Sequence, residues 1–449
     1  MNLRHPPSEA GHSDAPIVVV GAGLAGCLVA TLLAKRGFNV QVYERRPDMR
    51  AAEIAAGRSI NLALSTRGID ALELAGVAER VLADAIPMPG RIMHGVDGAL
   101  TYQPYGQDGQ AIRSVSRRGL NETLMTAAEQ AGARLFFNKR CLDIDPTARK
   151  VTLADDDGRA TVQARIIIGA DGVFSAVRGH LQRSDRYQYE QLYLDHGYKE
   201  LAIPPGENGS FRLEKDGLHI WPRHDFMLIA LPNADGSFTC TLFQALDGPE
   251  GLHALDTPEK VRAFFAKWFP DAVPLMPTLV EDFFGNPTSS LCTIRCAPYH
   301  RDDSVLLIGD AAHAVVPFYG QGMNAAFEDC AIIERMLQAN GGRLEGVPAR
   351  FSAERKEDAD AIRQLALDNF VEMRSKVANP LFLLRKKVDK LLHKLAPSLY
   401  VPLYSMVTFS TIPYAETVRR AQQQQKALVR GAVVLGAALV GALAVALMR

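Results

Sequence analysis

An α/β fold, in which a parallel sheet is interrupted by an antiparallel sheet and followed by helices, is predicted by three features of the 449-residue sequence. Short, unbroken apolar runs each end in a glycine-bearing turn, as strands buried on both faces do. A β-rich stretch with hairpin signals lies between those runs. Beyond Asn324 the pattern is helical for the rest of the chain.

The first apolar run, Ile17 to Val20, is closed by Gly21-Ala22-Gly23-Leu24-Ala25-Gly26. Helical periodicity then continues to Arg36, where Gly37 is a natural cap, and Asn39 to Tyr43 alternates as a strand that delivers Glu44. Each glycine has its own task in such a βαβ opening. Gly21 makes the tight turn, Gly23 lets backbone approach a pyrophosphate, and Gly26 packs helix on strand. The helix that follows offers free N–H groups and the positive end of its dipole. Glu44 can accept from both ribose hydroxyls, and its charge would repel a 2′-phosphate, which argues against NADP at this position.

Two later segments point to FAD rather than NAD. The run Val305 to Ile308 precedes Gly309-Asp310-Ala311-Ala312-His313, so a turn can present Asp310 to a polyol such as ribitol. Pro317 to Asn324 then reads Pro-Phe-Tyr-Gly-Gln-Gly-Met-Asn and opens a helix running to about Leu337. Gly320 and Gly322 permit close backbone approach there, and the helix dipole would favour the anionic reduced flavin. Arg165 to Ile168 is a further buried strand, before Gly169-Ala170-Asp171-Gly172. Leu218 to Trp221, Phe226 to Leu231 and Ser237 to Phe243 are β-rich, with a turn at Asn233-Ala234-Asp235-Gly236.

The predicted fold is therefore a Rossmann-like FAD-binding domain with an inserted antiparallel β-sheet substrate domain and a helical C-terminal region ending in an apolar tail. The expected boundaries are a disordered leader at 1–15, the FAD-binding domain at 16–185 with its return at 291–345, and the substrate sheet at 186–290. A helical region at 346–425 and a membrane anchor at 428–448 complete the chain.

Formal net charge is zero, with 50 basic and 50 acidic residues, so bulk composition gives no sign of nucleic-acid binding. Charge is unevenly distributed, however: Arg374 to Arg430 holds eleven Lys/Arg against Asp389 and Glu416. Such a basic flank suits an anionic surface. Within it, Leu384, Val388, Leu391, Leu392 and Leu395 share one helical face, which is either core-packed or membrane-facing. The six cysteines have no disulfide or zinc spacing, which argues against a metal site and for reduced thiols. Gly431 to Met448 is uncharged for eighteen residues behind Arg419, Arg420, Lys426 and Arg430. That length approaches a bilayer core, so membrane insertion with the rest of the protein on the cytosolic side is expected. A buried helix or an oligomer contact is the alternative.

The order of the first glycine motif, Asp171-Gly172 with Ser175 and Arg178, and Gly309-Asp310 resembles that of the group A flavoprotein monooxygenases, which share the para-hydroxybenzoate hydroxylase fold. In that family the middle segment touches FAD and also serves NADPH, and no second Rossmann domain exists. Within the group, longer stretches resemble the kynurenine 3-monooxygenases: Gly57 to Ser65, His196 to Leu201, Leu218 to Pro222, Val315 to Phe318, Asn369 to Met373 and Tyr404 to Ser410. The similarity runs from Ile17 to Arg420.

That resemblance implies NADPH- and O₂-dependent hydroxylation of L-kynurenine to 3-hydroxy-L-kynurenine, a step of tryptophan degradation. It assigns Arg91 and Tyr105 to the substrate carboxylate, Asn369 and Tyr404 to further polar contacts, and Phe318, Tyr319 and Met373 to the aromatic ring. A bidentate guanidinium suits an amino-acid carboxylate. To the cofactor set of Gly21, Gly23, Gly26, Glu44, Asp171, Asp310 and Gly322 it adds Leu24, Arg45, Arg58, Arg117, Met323 and Asn324. The aniline already activates the target carbon, so no catalytic acid or base is assigned. Soluble bacterial members lack an apolar tail, whereas mitochondrial members carry an outer-membrane anchor. Other readings are a monooxygenase for another aromatic acid or a lipid, and a non-catalytic, membrane-tethered flavin sensor.

Overall fold

The computed structural model describes residues 15–51, 61–106, 109–156, 158–375 and 399–447, together with 392 and 396. The leader, Arg58 and the basic face at 381–395 fall outside those residues, apart from Leu392, as do the side chains of 371–375 and 432–447.

The apolar runs become the centre of a six-stranded sheet. Ile17–Val20 pairs in parallel with Ile166–Gly169 on one side and Val40–Tyr43 on the other. Val305–Leu307 extends the first side and Arg134–Phe136 the second, with His300–Arg301 antiparallel at the edge. All four residues of Ile17–Val20 and of Ile166–Gly169 are buried, which explains why these strands do not alternate. Helices Leu24–Lys35 and Gly322–Ala339 pack together over this sheet and share its core. Two three-stranded sheets flank it, formed by Arg140–Asp145, Lys150–Asp155 and Gly158–Gln163, and by Asn61–Leu64, Ile112–Ser116 and Ile86–Met88.

The second large sheet has seven strands, in the order Ser289–Ala297, Gln188–Ile203, Phe238–Ala245, Phe226–Pro232, Leu218–Arg223, Gly90–His94 and Leu100–Pro104. The Asn233–Gly236 turn closes as expected, with the Asn233 N–H donating to the Ser237 carbonyl at 2.8 Å. The hairpin at 90–104 departs from the expected boundary. It was grouped with the first FAD-binding segment, 16–185, but its first strand pairs in parallel with Leu218–Arg223. Ser289–Ala297 likewise runs across the expected border at 290. Strand pairing between distant segments carries no local signal, so such boundaries are set by the tertiary fold.

Register assigns the two faces of this sheet. Arg91, Met93, Leu218, Ile220, Ile229 and Phe243 lie on one face, whereas Ile92, His94, His219, Trp221 and Leu228 lie on the other. The second face packs on helices Pro258–Trp268 and Leu279–Gly285 through Trp221, Phe265, Phe269 and Phe283.

A buried ionic network ties the helical region to the parallel sheet. Arg355 donates to Asp329 Oδ1 and to Glu328 Oε2, both at 2.7 Å. Glu328 Oε1 in turn accepts from Arg67. Asp329 Oδ2 accepts the Gly309 N–H and faces His313 Nε2, both at 2.7 Å. Tyr414 lies under the Arg67 guanidinium, 3.9 Å away, and gives its hydroxyl hydrogen to Gln321 at 3.0 Å. Burial opposes the Asp329 charge, but His313 and Arg355 prevail and hold its carboxyl below the ordinary range.

Helix Tyr414–Leu447 continues without a break across the expected border between helical region and tail. Among the described residues no helix is long and apolar enough to cross a membrane.

Removing one partner of a buried ion pair strands the other, at a cost of roughly 3–5 kcal/mol. Arg355→Leu is therefore expected to lower unfolding stability by about that amount, read from urea denaturation of the holoenzyme. Substitution of exposed Arg350, paired only with Glu354, is expected to change it by less than about 1 kcal/mol.

Candidate active site

The glycine turn is shaped by what surrounds it. Gly21 has φ of 103°, and a Cβ there would meet the Ala170 carbonyl oxygen at 2.6 Å. A Cβ on Gly26 would fall 1.9 Å from the Gly21 carbonyl oxygen. Gly23 differs: a Cβ there would meet nothing within 4 Å. The space in front of the Leu24–Lys35 helix is thus open at the position expected to admit a pyrophosphate. Glu44 Oε2 accepts the Ala22 N–H at 2.9 Å and Oε1 the Arg46 N–H at 3.0 Å, which fixes the carboxylate beside the turn. Arg45 next to it is exposed.

The return segment meets this turn directly. Gly309 has φ of 57°, and a Cβ on it would touch both Ala25 and Ala326 at 3.2–3.3 Å. Asp310 is solvent-accessible but walled by protein; desolvation raises its carboxyl, and Arg117 and His313 pull it back. Arg117, exposed at the start of helix Arg117–Gln130, also acts on Glu200 across the cleft. An open helix N-terminus, an acid held beside its turn and a second acid at a glycine turn fit the two ends of FAD.

Two expected cofactor residues are already engaged by protein. The Asp171 carboxylate accepts from Ser175 Oγ at 2.5 Å and from the Ala176 N–H at 2.7 Å, capping helix Ala176–Leu181. Burial raises it nonetheless. The Asn324 amide accepts from the Ser65 N–H and donates to the Ala63 and Gly320 carbonyls, all at 2.9 Å. Only its backbone N–H, with those of Gly322 and Met323 in the same first helical turn, is left without an intrahelical acceptor. Asn121, which carries no sequence signal, donates to the Ala22 carbonyl at 3.3 Å, and its buried Oδ1 has no partner.

On the far side, Arg91 lies beside two stacked tyrosines. Its guanidinium carbon is 5.0 Å from the Tyr105 ring and 5.1 Å from the Tyr404 ring, and those rings stack 5.3 Å apart. Tyr319 stacks on Tyr404 at 5.6 Å. Among the described residues neither Arg91 Nε nor the Tyr105 hydroxyl makes a well-formed hydrogen bond, although both atoms are buried and the two side chains lie close together. Burial works against the Arg91 charge, and the neighbouring phenols outweigh it, so the guanidinium is held above its ordinary value. Burial also pushes both phenols up, keeping them protonated donors. Buried donors without acceptors are costly, and their pairing here suits an anionic group.

An aromatic wall adjoins the clamp. Phe318 stacks on Phe370 at 4.4 Å and leans on Phe243 at 5.1 Å. Asn369 donates to the Phe318 carbonyl at 2.7 Å, so it holds the wall in place. Met373 lies on helix Val347–Ser375, its side chain outside the described residues. Phe243 and Phe370 were not among the expected residues. Single aromatics in a strand or helix read as ordinary core until the fold brings them together.

A family model described as FAD binding domain matches residues 14–196 and 281–365. The kynurenine 3-monooxygenase of Myxococcus xanthus is 49% identical over 421 residues, 93% of this chain and 89% of the relative. That of Dictyostelium discoideum is 46% identical over 425 residues, 91% of this chain and 92% of the relative. The chain belongs to the kynurenine 3-monooxygenase family. It is an FAD-dependent monooxygenase.

Among solved structures, 2-methyl-3-hydroxypyridine-5-carboxylic acid oxygenase matches with a TM-score of 0.67 at 22% identity, covering 83% of this chain and 95% of that chain. PqsL of P. aeruginosa, in complex with 2-aminobenzoylacetate, matches with a TM-score of 0.65 at 20% identity, over 80% and 96%. These two likenesses concern the fold.

The glycine geometry separates two substitutions. Gly26→Ala forces a clash with backbone and is expected to abolish both folding yield and FAD retention. Gly23→Ala is expected to keep the circular dichroism spectrum and lose FAD affinity by more than about tenfold, read by flavin fluorescence titration.

Proposed function

We propose that the protein hydroxylates L-kynurenine beside its aniline nitrogen, consuming NADPH, a proton and O₂ and releasing 3-hydroxy-L-kynurenine, NADP⁺ and water. The observation that carries this reading is the half-buried Arg91, whose buried Nε has no well-formed hydrogen bond, beside the buried hydroxyl of Tyr105. Together they form a receptor for a carboxylate at one end of an aromatic-lined cleft.

In this reading Arg91 and Tyr105 bind the amino-acid carboxylate, and Tyr404, stacked on Tyr105, packs beside the same guanidinium. Phe318 and Tyr319, with Met373, hold the aniline ring, and Asn369 keeps the Phe318 backbone in place. Gly21, Gly23, Leu24, Gly26, Glu44 and Arg45 hold the adenosine and pyrophosphate end of FAD, with Arg58 and Asp171 contributing. Arg117, Asp310 and the helix start at Gly322, Met323 and Asn324 hold the flavin end. Bound FAD supplies the reducing equivalents from NADPH and the activation of O₂. The apolar side chains of the sheet face, Ile220, Ile229 and Phe243 among them, keep water from the reacting centre. The amine directs reaction to its ortho carbon, so positioning is the protein's main contribution.

We further propose that the apolar tail at 428–448 attaches the enzyme to a membrane with the catalytic part on the cytosolic side. The helix from Tyr414 to Leu447, continuous across the start of that tail, supports this reading.

NADPH oxidation should be stimulated by L-kynurenine and yield a product heavier by one oxygen atom in mass spectrometry. Arg91→Ala is expected to raise KM for L-kynurenine by about two orders of magnitude, as loss of a charge-assisted bidentate contact does. Equal KM in that variant would refute the carboxylate clamp. Deleting residues after Arg430 should release activity from the membrane fraction into the supernatant with KM unchanged; a truncated enzyme that still sediments would remove the anchor reading.

A further inference from the structure

Behind Arg91, on the opposite face of the same strand, four side chains form a hydrogen-bonded chain. His219 Nε2 lies 2.7 Å from the Glu214 carbonyl oxygen. His219 Nδ1 lies 2.9 Å from His94 Nε2. His94 Nδ1 lies 2.9 Å from Asp271 Oδ2, which also accepts from Trp221 Nε1 at 2.7 Å. The His94 ring stacks on Trp221 at 3.8 Å.

Proton counting makes this chain unusual. A carbonyl oxygen only accepts, so His219 Nε2 carries a proton and its Nδ1 is an acceptor. The His94–His219 contact then needs a proton on His94 Nε2. The His94–Asp271 contact needs another on Nδ1, since the carboxylate also only accepts. Three contacts thus require three protons, whereas two neutral imidazoles and a carboxylate hold two. With two, one of the three contacts sets lone pairs against each other. The third proton makes His94 an imidazolium and completes every contact.

The chain also bridges a weak seam. Gly90–His94 and Leu218–Arg223 form the parallel junction in a sheet whose other pairings are antiparallel. Parallel pairing is slightly less stable per residue. The His94–His219 bond spans this junction, and Arg223 Nη1 adds a bond to the His94 carbonyl at 2.9 Å. Arg91 stands on the same short strand, paired with Leu218.

We propose that His94, His219 and Asp271 are positioning residues whose shared third proton tightens the strand carrying Arg91 and so strengthens binding of the substrate carboxylate. The inference rests on the assignment of Arg91 to that carboxylate. Burial pulls both imidazoles below the ordinary histidine value, His219 to about 4. Asp271 draws His94 back up and Arg223 opposes it; Glu214 favours a charge on His219, and His94 opposes one. The third proton therefore enters on the acid side of the ordinary value of 6.5 and is lost as pH rises.

The test is the dissociation constant of L-kynurenine for the oxidised holoenzyme, followed by flavin absorbance between about pH 5 and about pH 8, the window in which histidines titrate. The wild type is expected to bind about three- to tenfold more tightly at the acid end, the worth of one hydrogen bond. Asp271 Oδ2 accepts from Trp221 and faces His94, so Asp271→Asn keeps one oxygen for both but removes the charge that draws the third proton. Its dissociation constant is expected to stay flat with pH, at the wild type's value at the alkaline end. A flat wild-type profile overturns the proposal. So does an Asp271→Asn variant that keeps the wild-type pH dependence, or one that binds more weakly than the wild type's alkaline limit at every pH, as a merely structural role predicts. Should that variant fail to fold, ¹⁵N-histidine NMR of the wild type decides: His94 and His219 must titrate together, and independent titration refutes the chain. If Arg91→Ala leaves the dissociation constant unchanged at all pH values, the carboxylate assignment fails instead.

Discussion

The arrangement of the whole enzyme depends on the buried pairing of Arg355 with Glu328 and Asp329. Two carboxylates adjacent in one helix face opposite ways. Glu328 reaches Arg67 beneath Tyr414, and Asp329 reaches the Gly309 N–H and His313 at the return turn. One guanidinium between them fixes the long helix Val347–Ser375 relative to both. Charges so deeply buried are tolerated only because every carboxylate oxygen has a donor. The benefit is placement: the turn that presents Asp310 and the helix that carries Asn369 are held by the same cluster.

The second constraint is the seven-stranded sheet. It receives one hairpin from the chain segment before the third parallel strand and one long strand from after the main hairpins. This stitching carries Arg91 away from its sequence neighbours and sets it opposite Tyr404, more than three hundred residues later. A cluster of one guanidinium and two phenols is thereby built from a strand, a loop and a short helix, none of which could form it alone. The aromatic wall follows the same rule, since Phe243, Phe318 and Phe370 come from three separate elements.

Much of the nucleotide end was legible because its chemistry is local. Gly21, Gly23 and Gly26 act within one turn, and Glu44 closes the strand that follows. The clefts between segments were not legible in that way. Asp171 and Asn324 show the limit: both stand in the expected motifs, yet their side chains bind the protein itself. A motif records that a residue type is needed, without saying whether the cofactor or the scaffold needs it. The expected border at residue 185 missed the 90–104 hairpin for a related reason, since pairing with a partner more than a hundred residues away leaves no mark on local alternation.

The sequence by itself determined the βαβ opening, the two glycine turns and the family, because steric demands on glycine and buried strands act over a few residues. Only the tertiary structure decided which charges are buried together, which tyrosines lie beside Arg91, and that His94, His219 and Asp271 meet on the reverse of its strand. Those relations join residues far apart in the chain, and they exist only once the sheets have closed.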